Sequence, residues 1–155
     1  MGDADGDGLA DFFVSGGESN TAFVVLGPVT TSGLIGDLPN VARLIGGDYS
    51  AFDRAGTGDV NGDGLGDLVT GIVDRDVDWE YGAAIILAPF SGTMVLDDAD
   101  YLYRGEGENS WAGSSVSSAG DVDADGLMDV LIGASATQVH SEYRGKAYLF
   151  YGADL

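Results

Sequence analysis

A nine-residue acidic string occurs three times in this chain, and its spacing constrains the fold more than any other feature. The copies cover residues 3–11, 59–67 and 121–129, so they begin 56 and then 62 residues apart. Each copy has an oxygen-bearing side chain at positions 1, 3, 5 and 9, Gly at position 6 and Leu at position 7. Self-similarity with a period of this size is typical of repeat architectures, so the chain is expected to contain about three similar units.

The string has the donor pattern of a short calcium loop. Calcium takes about six to eight oxygens from carboxylates, amide and backbone carbonyls and water. Alternate side chains of a curled loop converge on one point, and Gly at position 6 lets the backbone turn. We expect the backbone carbonyl of the position-7 leucine to be a ligand and its side chain to anchor the loop to the core. The candidate metal ligands, for three Ca²⁺ ions with one in each loop, are Asp3, Asp5, Asp7, Leu9 and Asp11; Asp59, Asn61, Asp63, Leu65 and Asp67; and Asp121, Asp123, Asp125, Leu127 and Asp129.

Two other interpretations of the string are weaker. Asp and Gly are ordinary turn residues, so a solvated acidic turn explains one copy but not three copies with matching Gly and Leu. An EF-hand shares the opening pattern but needs Glu at position 12 and a helix on each side. Position 12 is Val14, Thr70 or Ile132, within short apolar runs that are typical of strands.

Composition excludes several classes of function. The net charge of −20 excludes electrostatic binding of nucleic acid, and the absence of Cys excludes disulfides and thiolate metal sites. No apolar run has the length of a membrane span. Twenty-six Gly against three Pro indicate tight turns between short strands. Several calcium loops of the low-affinity type favour an extracellular or cell-surface location, although the chain shows no signal peptide.

Aligning the three strings reveals a repeated unit of four strands. A small-residue inner strand precedes the acidic loop, two apolar middle strands follow it, and a less regular outer strand completes the unit. The size and strand count are those of a β-propeller blade, so the predicted fold is all-β, a single propeller segment over 1–155. The predicted units are 1–48, 49–110 and 111–155. The predicted inner strands are 51–58 and 113–120; the first middle strands are 11–16, 67–73 and 129–135; the second are 22–27, 84–89 and 147–152, with Ala22, Ala84 and Ala147 equivalent; the outer strands are 41–46 and 100–104.

The third unit resembles an FG-GAP repeat. The resemblance rests on Asp-Val-Asp-Ala-Asp-Gly-Leu-Met-Asp-Val-Leu-Ile-Gly-Ala-Ser at 121–135, preceded by Gly-Ser-Ser-Val-Ser-Ser-Ala-Gly at 113–120. FG-GAP repeats are the blades of integrin α-subunit propellers and of many bacterial secreted proteins. The resemblance implies a calcium ion in the loop between the first and second strands of each blade. The second unit departs from the pattern at Phe52, Asp53 and Arg54 and at Asn61, and neither full copy keeps the Phe-Gly pair.

The predicted first and last blades are incomplete, which raises the question of how a ring closes. Closed propellers have about four to eight blades, more than three units provide. Either the chain is a fragment of a larger propeller, or two copies form a homo-oligomer that closes one six-bladed ring. We favour the second because two-fold assemblies are the commonest.

The function predicted from these features is a non-catalytic, calcium-binding propeller segment for extracellular adhesion or protein–protein interaction. Two alternatives remain: the scaffold or carbohydrate-binding part of a secreted polysaccharide-active enzyme, and a purely structural fragment. His140, next to Ser141, lacks the surroundings of a catalytic triad and is predicted to lie on the surface. A protein or glycan ligand is the expected partner. Four aromatic residues are candidates for a binding surface, although strand packing is the simpler explanation: Trp79, Trp111, Tyr101 and Tyr103.

Overall fold

The computed structural model describes residues 2–15, 20–46, 55–74, 80–106, 110–139 and 142–155. In these ranges the regular elements are short β-strands and single-turn 3₁₀ helices, so the expectation of an all-β chain is confirmed. Within the same ranges no helix is long and apolar enough to cross a membrane. Predictions for Trp79, His140, Ser141 and the start of the inner strand at 51–54 lie outside the described residues.

The strands fall close to the predicted ranges. They are β1 (Phe12–Ser15), β2 (Thr21–Val25), β3 (Val41–Ile45), β4 (Ala55–Gly58), β5 (Asp67–Asp74), β6 (Glu80–Ile86), β7 (Thr93–Val95), β8 (Tyr101–Arg104), β9 (Ala112–Gly120), β10 (Asp129–Ala134), β11 (Gln138–Val139), β12 (Glu142–Tyr143) and β13 (Lys146–Phe150). The 3₁₀ helices are Ile35–Asp37, Leu96–Asp98 and Gly152–Asp154.

One sheet contains the whole predicted unit. Its order is β4-β5-β6-β8 and every neighbouring pair is antiparallel, so the inner, two middle and outer strands follow one another across the sheet. This is the order expected for a propeller blade. The third unit forms the sheet β13-β10-β9, and β11 and β12 make a separate two-stranded ribbon between its middle strands.

The sheet of the first unit includes a strand from the second unit. Its order is β1-β2-β3-β7, and β7 pairs with β3 in parallel, opposite Arg43, Leu44 and Ile45. The Arg43 amide also donates to the Gly92 carbonyl at 2.8 Å. This pairing was not predicted, because three residues are too few to show a strand pattern. It links the first two units by backbone hydrogen bonds.

The register corrects one detail of the predicted alignment. Phe12 pairs with Val25, Leu68 with Ile86 and Val130 with Phe150. Counting back from these pairs makes Ala83, not Ala84, the counterpart of Ala22 and Ala147. The one-residue error arose because residues 83 and 84 are both Ala, so composition alone did not fix the phase of β6.

Two apolar clusters fill the spaces between successive sheets. Alternate residues of a strand point to opposite faces, so Leu68 enters the cluster shared with the first sheet and Val69 enters the one shared with the third. Ile86 and Ile85 divide in the same way. The middle sheet is therefore covered on both faces.

Glycines allow the second and third sheets to approach closely. A Cβ atom on Gly71 would collide with the carbonyl oxygen of Gly113, and one on Gly113 would collide with that of Gly82. Gly113 also has a φ of +75°, in the region that glycine adopts without strain. The backbones of β5, β6 and β9 thus meet where no side chain fits.

Candidate metal centre

Each acidic loop lies directly before a first middle strand. The second loop joins the end of β4 to the start of β5, and the third joins β9 to β10. The first loop leads into β1. The second and third loops therefore lie between the first and second strands of a unit, as predicted from the sequence.

The aspartate at position 1 is held by backbone amides of its own loop. Oδ1 of Asp59 accepts the N–H groups of Gly62 at 2.7 Å and Asp63 at 3.1 Å, and Oδ2 accepts that of Gly64 at 2.8 Å. Asp3 makes the same three bonds in the first loop. The bond from the Gly8 amide is the largest cause that lowers the pKa of Asp3, because such donors stabilise the ionised carboxylate.

In the third loop Asp121 accepts two of these three bonds. They come from Asp125 and Gly126, each at 3.0 Å. Position 4 of this loop is Ala124, which has a φ of +65° where the other loops have glycine. The loop backbone is thus conserved in shape among the three copies although one glycine is replaced.

Position 3 is equivalent in all three loops, including the one with asparagine. Oδ1 accepts the amide of position 5 at 3.1 Å for Asp5, 3.0 Å for Asn61 and 3.2 Å for Asp123. Partial desolvation raises the pKa of Asp123, and the neighbouring carboxylates raise it further. Asn61 thus offers an oxygen in the same place with one negative charge fewer.

The side chains at position 5 also accept a backbone amide within the loop. Oδ1 of Asp7, Asp63 and Asp125 accepts the amide of the position-7 leucine, at 2.7, 2.8 and 2.8 Å respectively. All three carboxylates are exposed. In the second loop the other oxygen, Oδ2 of Asp63, accepts the side-chain amide of Asn61 at 3.1 Å.

The aspartate at position 9 is buried and joins the loop to the second middle strand. In Asp67, Oδ2 accepts the amide of Val60 at 2.8 Å and Oδ1 accepts that of Ala88, just beyond β6, at 2.9 Å. Asp11 and Asp129 do the same, with Gly27 and Gly152 beyond their strands. Burial raises the pKa of Asp67. Position 9 is therefore a structural residue as well as a candidate ligand.

Three of the predicted ligand positions converge within one loop. Carboxylate oxygens of Asp3, Asp5 and Asp11 lie within 4.8 Å of one another. The third loop gathers positions 1, 3 and 9 in the same way, from Asp121, Asp123 and Asp129. A set of hard oxygen donors suits calcium or magnesium rather than a soft metal. The chemistry of the donor set therefore fits the predicted ion.

One of the position-7 leucines differs from the prediction. Leu9 was expected to anchor its loop to the core but is 44% exposed. Leu65 packs against the first apolar cluster, and its Cδ2 lies 3.5 Å from the place of a Cβ on Gly6. Leu127 lies in the same way over Gly62, at 2.8 Å. The leucines of the second and third loops therefore rest on position 4 of the preceding loop.

Successive loops are also joined by backbone hydrogen bonds that the sequence did not predict. The Gly66 amide donates to the Asp3 carbonyl at 2.7 Å, and the Met128 amide donates to the Asp59 carbonyl at 2.9 Å. In both cases position 8 of one loop donates to position 1 of the preceding loop. The one sequence feature that could have indicated these bonds is the constant loop length, because it places positions 1 and 8 equivalently in every loop.

Three of the four candidate aromatic residues lie within the described part of the chain, and they differ in their surroundings. Tyr103 packs with its ring centroid 5.1 Å from those of both Tyr148 and Phe150. Tyr101 is exposed and Trp111 is 48% exposed. Strand packing therefore accounts for Tyr103, as the simpler explanation proposed.

Comparison with known proteins identifies the third unit. Residues 112–150, which run from β9 through β13 and include the third loop, match the family model of the FG-GAP repeat. This chain contains an FG-GAP repeat. The resemblance inferred from 113–135 is thereby confirmed.

A relative extends the likeness beyond that FG-GAP repeat. Integrin alpha-D of Homo sapiens is 35% identical over 97 residues, which are 61% of this chain and 8% of that protein. The chain thus spans a small part of the length of this relative. The likeness to this integrin α-subunit covers a larger part of the chain than the repeat match does.

Proposed function

We propose that this chain is a non-catalytic, calcium-binding segment of FG-GAP propeller blades in which each acidic loop holds one ion. The ligands are the side chains at positions 1, 3, 5 and 9 and the backbone carbonyl at position 7. The observation that carries this proposal is the convergence of three carboxylates in a loop whose backbone amides already fix their orientation. Such a loop is preorganised, so binding costs little ordering of side chains.

Electrostatics gives the ion a structural role. Carboxylates this close repel one another when ionised, and a divalent cation offsets that repulsion. The chain as a whole carries a net charge of −20, which adds to the self-repulsion of the folded state. Bound calcium is therefore expected to stabilise the turn between an inner strand and a middle strand in each unit.

The proposed role is protein–protein interaction or adhesion outside the cell or at its surface. Likeness to an integrin α-subunit supports this role. The proposed calcium loops agree with it, because extracellular modules bind calcium at roughly 10⁻⁴–10⁻³ M. The apolar side chains of Phe12, Leu131 and Leu149 are exposed on the two outer sheets. Exposed apolar side chains on these sheet faces favour packing of the faces against further blades.

We also propose that a second copy supplies those further blades, in a six-bladed ring. Among the described strands β1 pairs only with β2, and β13 only with β10, so each retains one edge able to receive a strand. Light scattering coupled to size exclusion tests this proposal. A particle of twice the chain mass is expected with calcium, and a monomer at micromolar concentration would count against it.

Thermal melting during calcium titration tests the metal proposal. A ligand that binds only the folded state raises the melting temperature with its concentration. Calcium is expected to raise it and EDTA to reverse the rise, with isothermal titration calorimetry giving three ions per chain. Asp63→Ala should reduce the count to two. Asp37→Ala, which removes an exposed carboxylate outside the loops, is the matched control. A melting temperature that does not respond to calcium or EDTA would refute the proposal.

A further inference from the structure

Two peptide groups connect the second acidic loop to the first. The carbonyl of Leu65 and the amide of Gly66 belong to one peptide unit, and that amide donates to the Asp3 carbonyl at 2.7 Å. The Asp3 carbonyl belongs in turn to one peptide unit with the Ala4 amide. This amide donates to Oδ2 of Asp11 at 2.6 Å. A continuous path therefore runs from position 7 of one loop to position 9 of the preceding loop.

The same path connects the third loop to the second. The peptide unit of Leu127 and Met128 donates to the Asp59 carbonyl at 2.9 Å. The next peptide unit donates through Val60 to Oδ2 of Asp67 at 2.8 Å. Both copies link a carbonyl proposed to bind an ion with a carboxylate proposed to bind the ion of the neighbouring loop. We call this pair of hydrogen-bonded peptides the peptide relay.

We propose that the peptide relay couples calcium binding between neighbouring loops, so that an ion in one loop raises the affinity of the adjacent loop. The inference rests on the proposed function, since the relay ends on the position-7 and position-9 ligands. Thermodynamic linkage makes the effect reciprocal for each pair of neighbours. The coupling makes the three loops bind calcium cooperatively. The sequence repeat alone suggested the opposite, one independent site per unit.

The sign of the coupling follows from peptide geometry. In a planar trans peptide the carbonyl and the amide point in opposite directions, so fixing one fixes the other. A cation on the position-7 carbonyl restrains that peptide and polarises its amide as a donor to the preceding loop. Hydrogen bonds in such chains strengthen one another. The restrained position-1 peptide then holds the position-9 carboxylate in place, so the preceding loop is more completely preorganised.

Side-chain packing acts in the same direction. Leu65 and Leu127, whose carbonyls belong to the relay, lie over Gly6 and Gly62, two residues beyond the Ala4 and Val60 amides that end it. A calcium ion that fixes the backbone of either leucine also fixes this contact. The two loops of a pair therefore order each other through both backbone and side chain.

Direct repulsion between ions would give the opposite sign. An empty third loop that has lost one carboxylate is more negative than the intact loop with its divalent ion. Charge alone would therefore make the second loop bind calcium more tightly when the third loop is disabled. The relay makes it bind less tightly, so the direction of the change distinguishes the two mechanisms.

The test is a calcium titration followed by ¹⁵N NMR, with glycine amides as reporters for each loop. Gly62 and Gly64 report the second loop, and Gly6 and Gly8 the first. Asp123→Ala disables the third loop. The relay predicts that the calcium dissociation constant of the second loop rises by at least about fivefold, which is within the usual range of coupling between sites. The dissociation constant of the first loop should rise less. An unchanged or tighter second loop overturns the coupling.

A second pair of variants assigns the coupling to the relay. Met128→Pro removes the amide that donates to Asp59, and Met128→Ala keeps it. Asp123→Ala should weaken calcium binding by the second loop in the Met128→Ala background and weaken it clearly less in the Met128→Pro background, where only the Leu127 contact remains. Equal weakening in both backgrounds would exclude the relay. If Met128→Pro fails to fold, the result for Asp123→Ala alone still decides whether coupling exists.

The same titration separates this inference from the proposed function. If the intact chain shows no calcium-dependent shift in any loop, both proposals fail. If all three loops bind calcium but Asp123→Ala leaves the second loop unchanged, only the coupling fails. If all three loops bind calcium and Asp123→Ala lowers the calcium affinity of the second loop, both proposals are supported.

Discussion

Asp67 accepts the backbone amide of Ala88, 21 residues later in the chain, with 2.9 Å between Oδ1 and the amide nitrogen. Its other oxygen accepts the Val60 amide at 2.8 Å, and its side chain is fully buried. One carboxylate thus satisfies two backbone donors from segments that do not otherwise pair. It ties the acidic loop, the start of β5 and the end of β6 together whether or not an ion is present.

Asp67→Ala is therefore expected to destabilise the chain even without calcium. The substitution leaves two amides at a buried site without an acceptor, at a cost of about 2–4 kcal/mol in unfolding free energy. Urea unfolding in EDTA measures it. Asp63→Ala is the matched control: it also removes two hydrogen bonds, from the Leu65 amide and the Asn61 side chain, but at an exposed site where water replaces them, so it should cost about 1 kcal/mol or less. Equal losses in the two variants would show that position 9 has no special structural role.

The sequence predicted the features that depend on local pattern. Apolar runs after Asp11, Asp67 and Asp129 became β1, β5 and β10, because side-chain alternation and loop phase are properties of a short segment. The partners of these aspartates were not predictable in the same way. Gly27, Ala88 and Gly152 follow hairpins of different lengths, so no fixed spacing marks them.

Contacts between units were the second limit of sequence-based prediction. Leu9, Leu65 and Leu127 are identical in their loops, yet only the second and third lie on a preceding loop. The parallel pairing of β7 with β3 joins residues of different units through a strand of only three residues. Such relations depend on how neighbouring units stack, which a pattern within one unit does not encode.

Close approach of the second and third sheets predicts a large difference between two glycines of β9. Gly113 and Gly120 both have positive φ, so Ala at either position costs about 1–2 kcal/mol of backbone strain. Gly120 faces open space, whereas a Cβ on Gly113 would collide with the Gly82 carbonyl. Gly113→Ala is therefore expected to lower the unfolding free energy by about 2 kcal/mol or more beyond the loss caused by Gly120→Ala. Comparable melting temperatures for the two variants would contradict the observed packing.

Contact between successive loops predicts a non-additive pair of substitutions. A Cβ on Gly62 would lie 2.8 Å from Cδ2 of Leu127, whereas one on Gly64 meets nothing within 4 Å. Both glycines have positive φ, so the backbone strain is similar and the leucine makes the difference. Gly62→Ala should destabilise the chain more than Gly64→Ala, by about 1 kcal/mol, as overpacking does.

Removing the leucine should abolish that difference. In a Leu127→Ala background the two glycine substitutions are expected to have equal cost within about 0.5 kcal/mol, since the double-mutant cycle then lacks its interaction term. Urea unfolding of the six proteins supplies the cycle. A difference that persists without Leu127 would mean that the leucine is not what crowds Gly62.

Unequal burial of the position-7 leucines predicts unequal cost for the same substitution. Leu65 packs against the first apolar cluster and over Gly6, so Leu65→Ala should lower the unfolding free energy by about 2 kcal/mol. Leu9 is 44% exposed, and Leu9→Ala should cost about 0.5–1 kcal/mol. Unfolding in EDTA isolates side-chain packing from any ion, because both substitutions keep the backbone carbonyl. If Leu9→Ala proved as costly as Leu65→Ala, Leu9 would have to pack against a second copy of the chain. Unfolding in EDTA at several protein concentrations would then show a stability that depends on concentration.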